Sequence, residues 1–293
     1  MVVEALLHHL DLVKLSQLMD RTGGSRDLRV AVIDGPVALD HPAFAGQRVF
    51  EVDSGSKAAC QSQTNIACFH GTAVVGVMAA KRGFGTPAIC PDCTFLLRPI
   101  FVEESDDGDV MPAASPDDLA AAITASVSAG ANVINLSASL GRQSSRGDRQ
   151  IESALDHAAQ RAVLVVAAAG NHGTVGSSAI TRHPWVIPVV GCDLYGRPMA
   201  DSNLGSSIGR RGLTAPGEGV GTIGSDGKPG TFHGSSAGAP FVTGTIALLW
   251  SEFPDATAGR IKSAVTSAGA RGRITIAPPL LDAWGAYRSL SLN

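Results

Sequence analysis

Along this chain, short apolar runs alternate with longer segments of helical periodicity. Several of the apolar runs end in polar residues near glycine. Three examples are the run 28–33 before Asp34, the run 131–136 before Ser137 and the run 163–168 before Asn171. Strands separated by helical segments predict a parallel sheet with helices on both faces. Ligands of such sheets bind at the carboxyl ends of the strands. We therefore expect an α/β fold of three layers, α/β/α, with a mostly parallel, doubly wound sheet and a site at that edge.

The same patterns give approximate element bounds. We expect strands at 28–33, 94–101, 131–137, 163–168 and 186–190, and helices at 3–20, 70–80, 116–130, 148–162, 236–253 and 257–268, followed by an irregular tail. The segment 236–253 is apolar nearly all round, which indicates a buried helix. Neither a repeat nor a linker interrupts the pattern. We interpret 1–24 as an N-terminal helical extension and 25–293 as one domain.

The composition argues against several classes of function. The chain has 293 residues and a net charge of −3, so it lacks the basic balance of proteins that bind nucleic acid or anionic membranes. Apolar runs stay below the roughly 18 residues that a membrane helix needs. Glu4 and Asp11 make the first segment atypical of a signal peptide. We expect a cytoplasmic protein that contacts neither nucleic acid nor membrane, and its oligomeric state stays open.

The cysteines allow more than one interpretation. Their odd number favours a reducing compartment, and they are Cys60, Cys68, Cys90, Cys93 and Cys192. The first four are of a type that binds zinc. A helix that starts at His70 would hold Cys68 and Cys90 roughly 15 Å apart, so we do not expect one shared metal. Two local pairs, 60 with 68 and 90 with 93, or four free thiols, remain open.

Three polar residues occur in an order that suits nucleophilic catalysis. Asp34, His70 and Ser236 follow one another along the chain, each near glycine. A serine hydroxyl is a weak nucleophile at neutral pH, and it needs a histidine base whose ring a carboxylate orients. Asn171, in Ala168-Ala169-Gly170-Asn171, adds an amide donor for an oxyanion. These four residues are the candidate catalytic group.

Each of the three also has an ordinary structural explanation. Ser236 suits a helix N-cap, Asp34 suits a turn and His70 suits a buried histidine with satisfied hydrogen bonds. Those explanations account neither for the shared glycines nor for the order. We therefore favour the catalytic interpretation.

The chain resembles the subtilisin-like serine proteases over about residues 25–270, on His70-Gly71-Thr72 and on Gly234-Ser235-Ser236 with Pro240. The resemblance implies a subtilisin-like sheet and peptide-bond hydrolysis through an acyl-enzyme. It implies Ser236 as nucleophile, His70 as general base, Asp34 as its orienting carboxylate and Asn171 as oxyanion donor. It also implies that an extended peptide substrate contacts two strand ends and one loop, at Phe101, Val102, Glu103, Ser137, Ala138, Ser139, Ala168, Ala169 and Gly170. One departure is Ser235, where the family usually has threonine.

Within that family the chain looks like the proteases that process cyanobactin-type ribosomal precursor peptides. The motifs are Asp34-Gly35-Pro36-Val37, His41-Pro42 and Arg98-Pro99-Ile100-Phe101. The macrocyclising members have a long helical insertion between the aspartate and the histidine, and the interval is short here. Water then reaches the acyl-enzyme, so we expect hydrolysis. The alternatives are a catalytically weak or inactive peptide-binding protein and a general intracellular protease.

We expect no cofactor and no metal. Calcium binding is common in the family, and calcium needs several oxygen ligands. Ala43 stands where a carboxylate is expected three positions after Asp40. The loop 81–85 carries Lys81 and Arg82 and lacks carboxylates, which makes it a poor site for a cation.

Overall fold

Seven strands form the central sheet of the computed structural model, which describes residues 2–52, 60, 62, 64–101, 114–137, 145–268 and 275–292. They are β1 (Arg29–Asp34), β2 (Arg48–Glu51), β3 (Thr94–Pro99), β4 (Val133–Leu136), β5 (Leu164–Ala168), β6 (Val186–Cys192) and β7 (Leu213–Pro216). Their order is β2–β3–β1–β4–β5–β6–β7, and neighbouring strands pair in parallel. A separate antiparallel pair consists of β8 (Val220–Ile223) and β9 (Pro229–Phe232).

Helices cover both faces of this sheet. They are α1 (Val2–Leu12), α2 (Ser16–Met19), α3 (Ile66–Ala79), α4 (Pro116–Ser128), α5 (Ser145–Gln160), α6 (Ala179–Arg182), α7 (Ser206–Arg211), α8 (Ser235–Glu252), α9 (Ala258–Ser267) and α10 (Ala283–Ser291), with a short 3-10 helix at Pro42–Phe44. None of the helices described here is both long enough and apolar enough to cross a membrane.

Two apolar cores lie on opposite faces of the sheet, because successive side chains of a strand alternate between its faces. In β1, Val30 and Val32 pack in the core that contains α3, α8 and α9. Ala31 and Ile33 pack in the core that contains α4 and α5. This arrangement confirms the predicted three-layer fold with a mostly parallel, doubly wound sheet.

The order of strands places a topological switch point at the carboxyl end of β1. The chain builds β2 and β3 on one side of β1 and β4 to β7 on the other. Where connections diverge in this way, the loops at the strand ends separate and leave room for a ligand. Asp34 ends β1 and Ser137 follows β4, so two of the predicted site residues lie at this switch point.

Helix α8 occupies the core directly below the site. Its residues from Ser235 to Leu249 are all buried, which confirms the prediction of a helix that is apolar on every side. It packs against α3, β4, β5, β6 and β7. The start of α8 is therefore fixed against several strands and against the helix that carries His70.

The prediction that α3 starts at His70 is wrong. The helix begins at Ile66, and the Asn65 side chain caps it by accepting a hydrogen bond from the Ala67 N–H. Asparagine is among the preferred N-cap residues, so this signal was present in the sequence. His70 consequently lies in the second turn, where neighbouring turns of helix hold its backbone rigid.

Both ends of the chain also differ from expectation. The predicted helix 3–20 is two helices, because Lys14 adopts a φ of 53° between α1 and α2. The predicted irregular tail contains α10, which Asp282 caps by accepting from the Gly285 N–H at 2.7 Å. The division into a 1–24 extension and a 25–293 domain remains a prediction.

Candidate active site

Asp34 and His70 form a buried hydrogen-bonded pair at the carboxyl end of β1. His70 Nδ1 lies 2.6 Å from Asp34 Oδ1, and the side chains are 11% and 1% exposed. An Nδ1–H that donates to a carboxylate leaves the Nε2 lone pair free to take a proton. The same Oδ1 accepts from the Gly35 N–H at 2.6 Å, while Oδ2 is buried without a partner among the residues that the structure describes.

Two glycines allow β1 and α3 to approach closely enough for this pair to form. A Cβ on Gly35 would clash with the carbonyl oxygen of Ala67, and a Cβ on Gly71 would clash with the carbonyl oxygens of Gly35 and Pro36. A side chain at either position would therefore push the end of β1 away from α3. The glycines next to Asp34 and His70 thus have a steric role in bringing the two side chains together.

Ser236 lies in the first turn of α8, after Gly234, whose φ of 88° is in the region that favours glycine. The Ser236 hydroxyl is mostly buried and donates to the Ser137 carbonyl oxygen at 3.4 Å. Between these described residues it makes no hydrogen bond to His70. Catalytic hydrogen bonds are often long or misaligned before substrate binds, so this geometry does not exclude Ser236 and His70 as a catalytic pair.

The Asn171 amide is oriented by Ser235. Asn171 Oδ1 accepts hydrogen bonds from the Ser235 N–H and from the Ser235 hydroxyl, both at 2.8 Å. Ser235 Oγ in turn accepts from the Gly170 N–H at 3.1 Å. Because its oxygen is engaged twice, the amide presents its Nδ2 donors elsewhere. Ser235 was noted in the sequence only as a departure from threonine, and its hydrogen bonds show that it holds the candidate oxyanion donor.

Asn203 fixes the loop that carries Asn171. Its Oδ1 accepts from the backbone N–H groups of His172 and Thr174, and its Nδ2 donates to the Ala169 carbonyl at 3.1 Å. This exposed loop follows β5 directly, so without such ties it would not hold one geometry. The sequence signal for this role was weak, because a lone asparagine in a loop has many explanations.

The start of α8 adds electrostatic support for a developing negative charge. The first N–H groups of a helix have no partner within the helix, and its dipole is positive at that end. The Ser236 N–H belongs to this first turn. Together with Asn171 Nδ2, it provides the type of donors that stabilise an oxyanion.

The ring of Phe232, at the end of β9, covers the histidine. Its centroid lies 5.0 Å from that of the His70 imidazole, with the two planes at 84°. Such edge-to-face packing fixes the imidazole plane and excludes water from one side. No sequence pattern distinguishes Phe232 from the other phenylalanines, of which the chain has nine in all.

A competing nucleophile at this edge of the sheet is inert. Cys192 ends β6 and is buried. Burial raises the pKa of the Cys192 thiol to about 12, with contributions from Asp193 and Glu218. A thiol that stays protonated is neither a nucleophile nor a metal ligand.

The structure places part of the predicted substrate-contacting set. Phe101 follows β3 and is buried against Ala67 and Ala114. Ser137 follows β4, while Ala168 ends β5 and precedes Ala169 and Gly170. Val102, Glu103, Ala138 and Ser139 lie outside the described residues.

The cysteines and the metal question have separate outcomes. Cys60 and Cys68 form a disulfide, whereas Cys90 and Cys93 are buried free thiols. One of the two local pairs that the sequence left open is therefore formed. Within the described part of the chain, no group of three or more His, Cys, Asp or Glu side chains is arranged to hold a metal ion.

The chain is similar to known proteases in its sequence. The sequence model of the subtilase family matches residues 25–276, and the chain belongs to that family. The thermophilic serine proteinase of Bacillus sp. (strain AK1) is 29% identical over 235 residues, which are 80% of this chain and 54% of that protein. The chain spans 38% to 60% of the length of the first curated relatives that it matches.

Two solved structures are similar in both fold and sequence. A mutant of the protease domain of PatA superposes with a TM-score of 0.81 at 28% identity, covering 92% of this chain and 96% of that one. The prenylagaramide maturation protease PagA gives a TM-score of 0.81 at 27% identity, covering 94% of this chain and 98% of that one. The chain is thus a subtilase whose fold is close to that of maturation proteases.

Proposed function

We propose that this protein is a serine endopeptidase that hydrolyses peptide bonds through an acyl-enzyme. Ser236 is the nucleophile, His70 the general base, Asp34 the carboxylate that orients it, and Asn171 the oxyanion donor. The observation that carries the proposal is the buried 2.6 Å contact between His70 Nδ1 and Asp34 Oδ1. A catalytic role explains why His70 and Asp34 are buried together at the end of the sheet where α8 presents Ser236.

The chemistry follows from that geometry. Ser236 Oγ attacks the carbonyl carbon of the scissile bond while His70 Nε2 takes the hydroxyl proton, and the carbonyl oxygen becomes an oxyanion. Asn171 Nδ2 and the Ser236 N–H stabilise this charge. When the C–N bond breaks, His70 returns the proton to the leaving amine. A water molecule then gives a proton to His70 and attacks the carbonyl carbon of the ester. When the bond to Ser236 Oγ breaks, His70 gives that proton to Oγ, which releases the carboxylic acid and restores the Ser236 hydroxyl.

The substrate in this proposal is an extended peptide that lies across the end of β1. The sheet order β3–β1–β4 supports it, since the segments after β3 and β4 lie on either side of Asp34. Main-chain pairing with strand ends gives affinity without demanding a particular sequence. The described members of the proposed contact set are Phe101 after β3, Ser137 after β4, and Ala168, Ala169 and Gly170 at the end of β5. We keep Val102, Glu103, Ala138 and Ser139, which lie outside the described residues, in the proposed set.

We further propose that the natural substrate is a ribosomal precursor peptide. Support comes from the likeness to PagA, which is a maturation protease, and to the protease domain of PatA. A general intracellular protease on the same fold would cleave unrelated unfolded proteins equally well. Incubation with a candidate precursor and with reduced, unfolded casein distinguishes the two, because only a processing enzyme cuts the precursor at one bond and leaves casein largely intact.

The compartment belongs to the proposal as well. We propose the cytoplasm, in agreement with the buried free thiols of Cys90, Cys93 and Cys192. The Cys60–Cys68 disulfide argues in the other direction, since disulfides persist mainly in oxidising surroundings. Fractionation of the native host decides between them, and recovery of the protein outside the cytoplasm contradicts this part.

The catalytic proposal is tested with the Ser236→Ala variant. It should lose peptidase activity and keep the fold, because Ser236 follows the Gly234 N-cap inside α8, and its hydroxyl makes only the 3.4 Å contact with the Ser137 carbonyl oxygen among the described residues. Peptide cleavage is measured by mass spectrometry, and the far-UV circular dichroism spectrum is the control for folding. Equal cleavage by the variant and the parent would show that Ser236 is not the nucleophile, whereas an inactive parent would support a peptide-binding protein.

A further inference from the structure

Three buried, hydrogen-bonded polar side chains connect α8 to the end of β4, next to Ser236. Thr243 Oγ1 donates to Asn135 Oδ1 at 2.8 Å, and Asn135 Nδ2 donates to Ser137 Oγ at 3.0 Å. Thr243 and Asn135 are fully buried, and Ser137 is 3% exposed. Burial of three polar side chains in an apolar core costs free energy because they lose their hydration. Their mutual hydrogen bonds offset this cost.

The helix geometry places these three side chains close to Ser236. Ser236 and Thr243 are seven residues apart, which is two turns, so they lie on the same face of α8. That face meets the end of β4 at two points. Ser236 Oγ contacts the Ser137 carbonyl oxygen, and Thr243 contacts Asn135 two residues earlier in the chain.

We propose that Thr243 is a positioning residue for the reaction, and this inference rests on the proposed function. The Thr243 hydroxyl fixes the orientation of the Asn135 amide. Asn135 then holds the Ser137 side chain, and with it the strand end whose carbonyl oxygen accepts the Ser236 hydroxyl. Thr243 touches neither substrate nor Ser236, so it acts only through Asn135 and Ser137.

The amide at Asn135 explains why such a hydroxyl is needed. An asparagine side chain can be turned by 180° with little change in shape, and only its hydrogen bonds define which end is the donor. With Thr243 donating to the oxygen, the nitrogen must face Ser137. Without that hydroxyl the buried Asn135 oxygen has no donor, and the amide is free to present either end to Ser137.

The chain contains a matched control on the same helix. Thr245 is also fully buried, and its Oγ1 donates to the Phe241 carbonyl oxygen within α8 at 2.7 Å. Thr245→Val removes the same hydroxyl at the same depth without touching the path to Ser137. Both variants remove a buried hydroxyl from α8, and of the two only Thr243→Val removes the hydrogen bond to Asn135.

The experiment measures inactivation of the full chain by a fluorophosphonate probe, which separates the maximal rate of modification from the half-saturating concentration. Thr243→Val should lower the maximal rate roughly tenfold, as expected for one buried hydrogen bond, and change the half-saturating concentration less than about twofold. Thr245→Val should keep the parent rate. Thr243→Ser restores the hydroxyl and should recover most of the loss. If Thr243→Val does not fold, Thr243→Ala is measured in its place.

A double-variant cycle identifies the path. In a Ser137→Ala background, Thr243→Val should have little further effect, because the residue through which it acts is already removed. Equal rates for Thr243→Val and Thr245→Val, or full additivity with Ser137→Ala, overturn the positioning role while leaving the proposed function intact. A parent that the probe does not modify overturns both, and the two failures are thus distinguishable.

Discussion

Substitution of Asn171 tests the proposed oxyanion donor most directly at the residue scale. Asn171→Ala should lower kcat by roughly a hundredfold or more with little change in KM, because the amide meets a charged oxygen only as the tetrahedral intermediate forms. Steady-state kinetics on any cleaved peptide provide the measurement.

Asn171→Asp is the matched variant. It keeps an oxygen for the Ser235 N–H and hydroxyl but has no Nδ2 donor, so it should retain the melting temperature and lose at least as much activity as the alanine variant. An effect of either variant mainly on KM contradicts the assigned role.

At the same scale, sequence motifs selected the candidate catalytic residues, whereas no motif selected the residues that support them. Asp34, His70 and Ser236 were selected by order and by neighbouring glycine, and the first two do form a pair. Asn135 could have been noticed as a polar residue inside the apolar run 133–136. Its partner Thr243 could not, because contacts between a strand and a helix 108 positions later depend on packing that no local pattern encodes.

Among the elements, α1 is attached to the domain through a buried histidine. His9 Nε2 contacts the Glu218 carbonyl oxygen at 2.9 Å, and His9 Nδ1 is buried without a partner among the described residues. Burial lowers the pKa of the His9 imidazole, although the bond to the Glu218 carbonyl acts in the other direction. The folded protein therefore holds His9 neutral at a pH where the unfolded chain begins to protonate it.

This linkage predicts a loss of stability in mild acid. The pKa of His9 is lower in the folded than in the unfolded state, so the unfolded state binds more protons and the free energy of unfolding falls as pH drops below about 6.5. His9→Gln keeps an N–H donor for Glu218 and should reduce the drop in melting temperature between pH 7.5 and pH 5. His8→Gln, on the exposed neighbour that contacts Leu194, keeps the buried His9 and should retain most of the drop, although the His8 charge also contributes to lowering the pKa of His9. Identical pH profiles for His9→Gln and the parent contradict the account.

Elements with a strong pattern were predicted and those with a weak one were not. The apolar strands β1, β4, β5 and β6 and the buried helix α8 were predicted close to their observed bounds. The edge strand β2 and the β8–β9 pair were missed, since four-residue strands with glycine or charge carry little periodicity. Helix α10 was also not predicted. It follows Pro278 and Pro279 and contains Gly285, and these residue types argue against a helix, so its N-cap at Asp282 was not recognised.

For the whole molecule, the architecture explains how distant segments meet at one end of the sheet. The switch in strand order opens the sheet at β1, the buried α8 presents Ser236 at that opening, and glycines allow α3 to bring His70 to Asp34. Family membership and the likeness to maturation proteases agree with this arrangement. We propose that these parts together form a working nucleophile.

The most direct measurement is the site of covalent modification by a fluorophosphonate. The folded parent should form one adduct, and peptide mapping should locate it on Ser236. The adduct should be absent from Ser236→Ala and should form far more slowly in His70→Ala, because an unactivated serine hydroxyl reacts poorly. A parent that stays unmodified, or an adduct on another residue, would contradict the account.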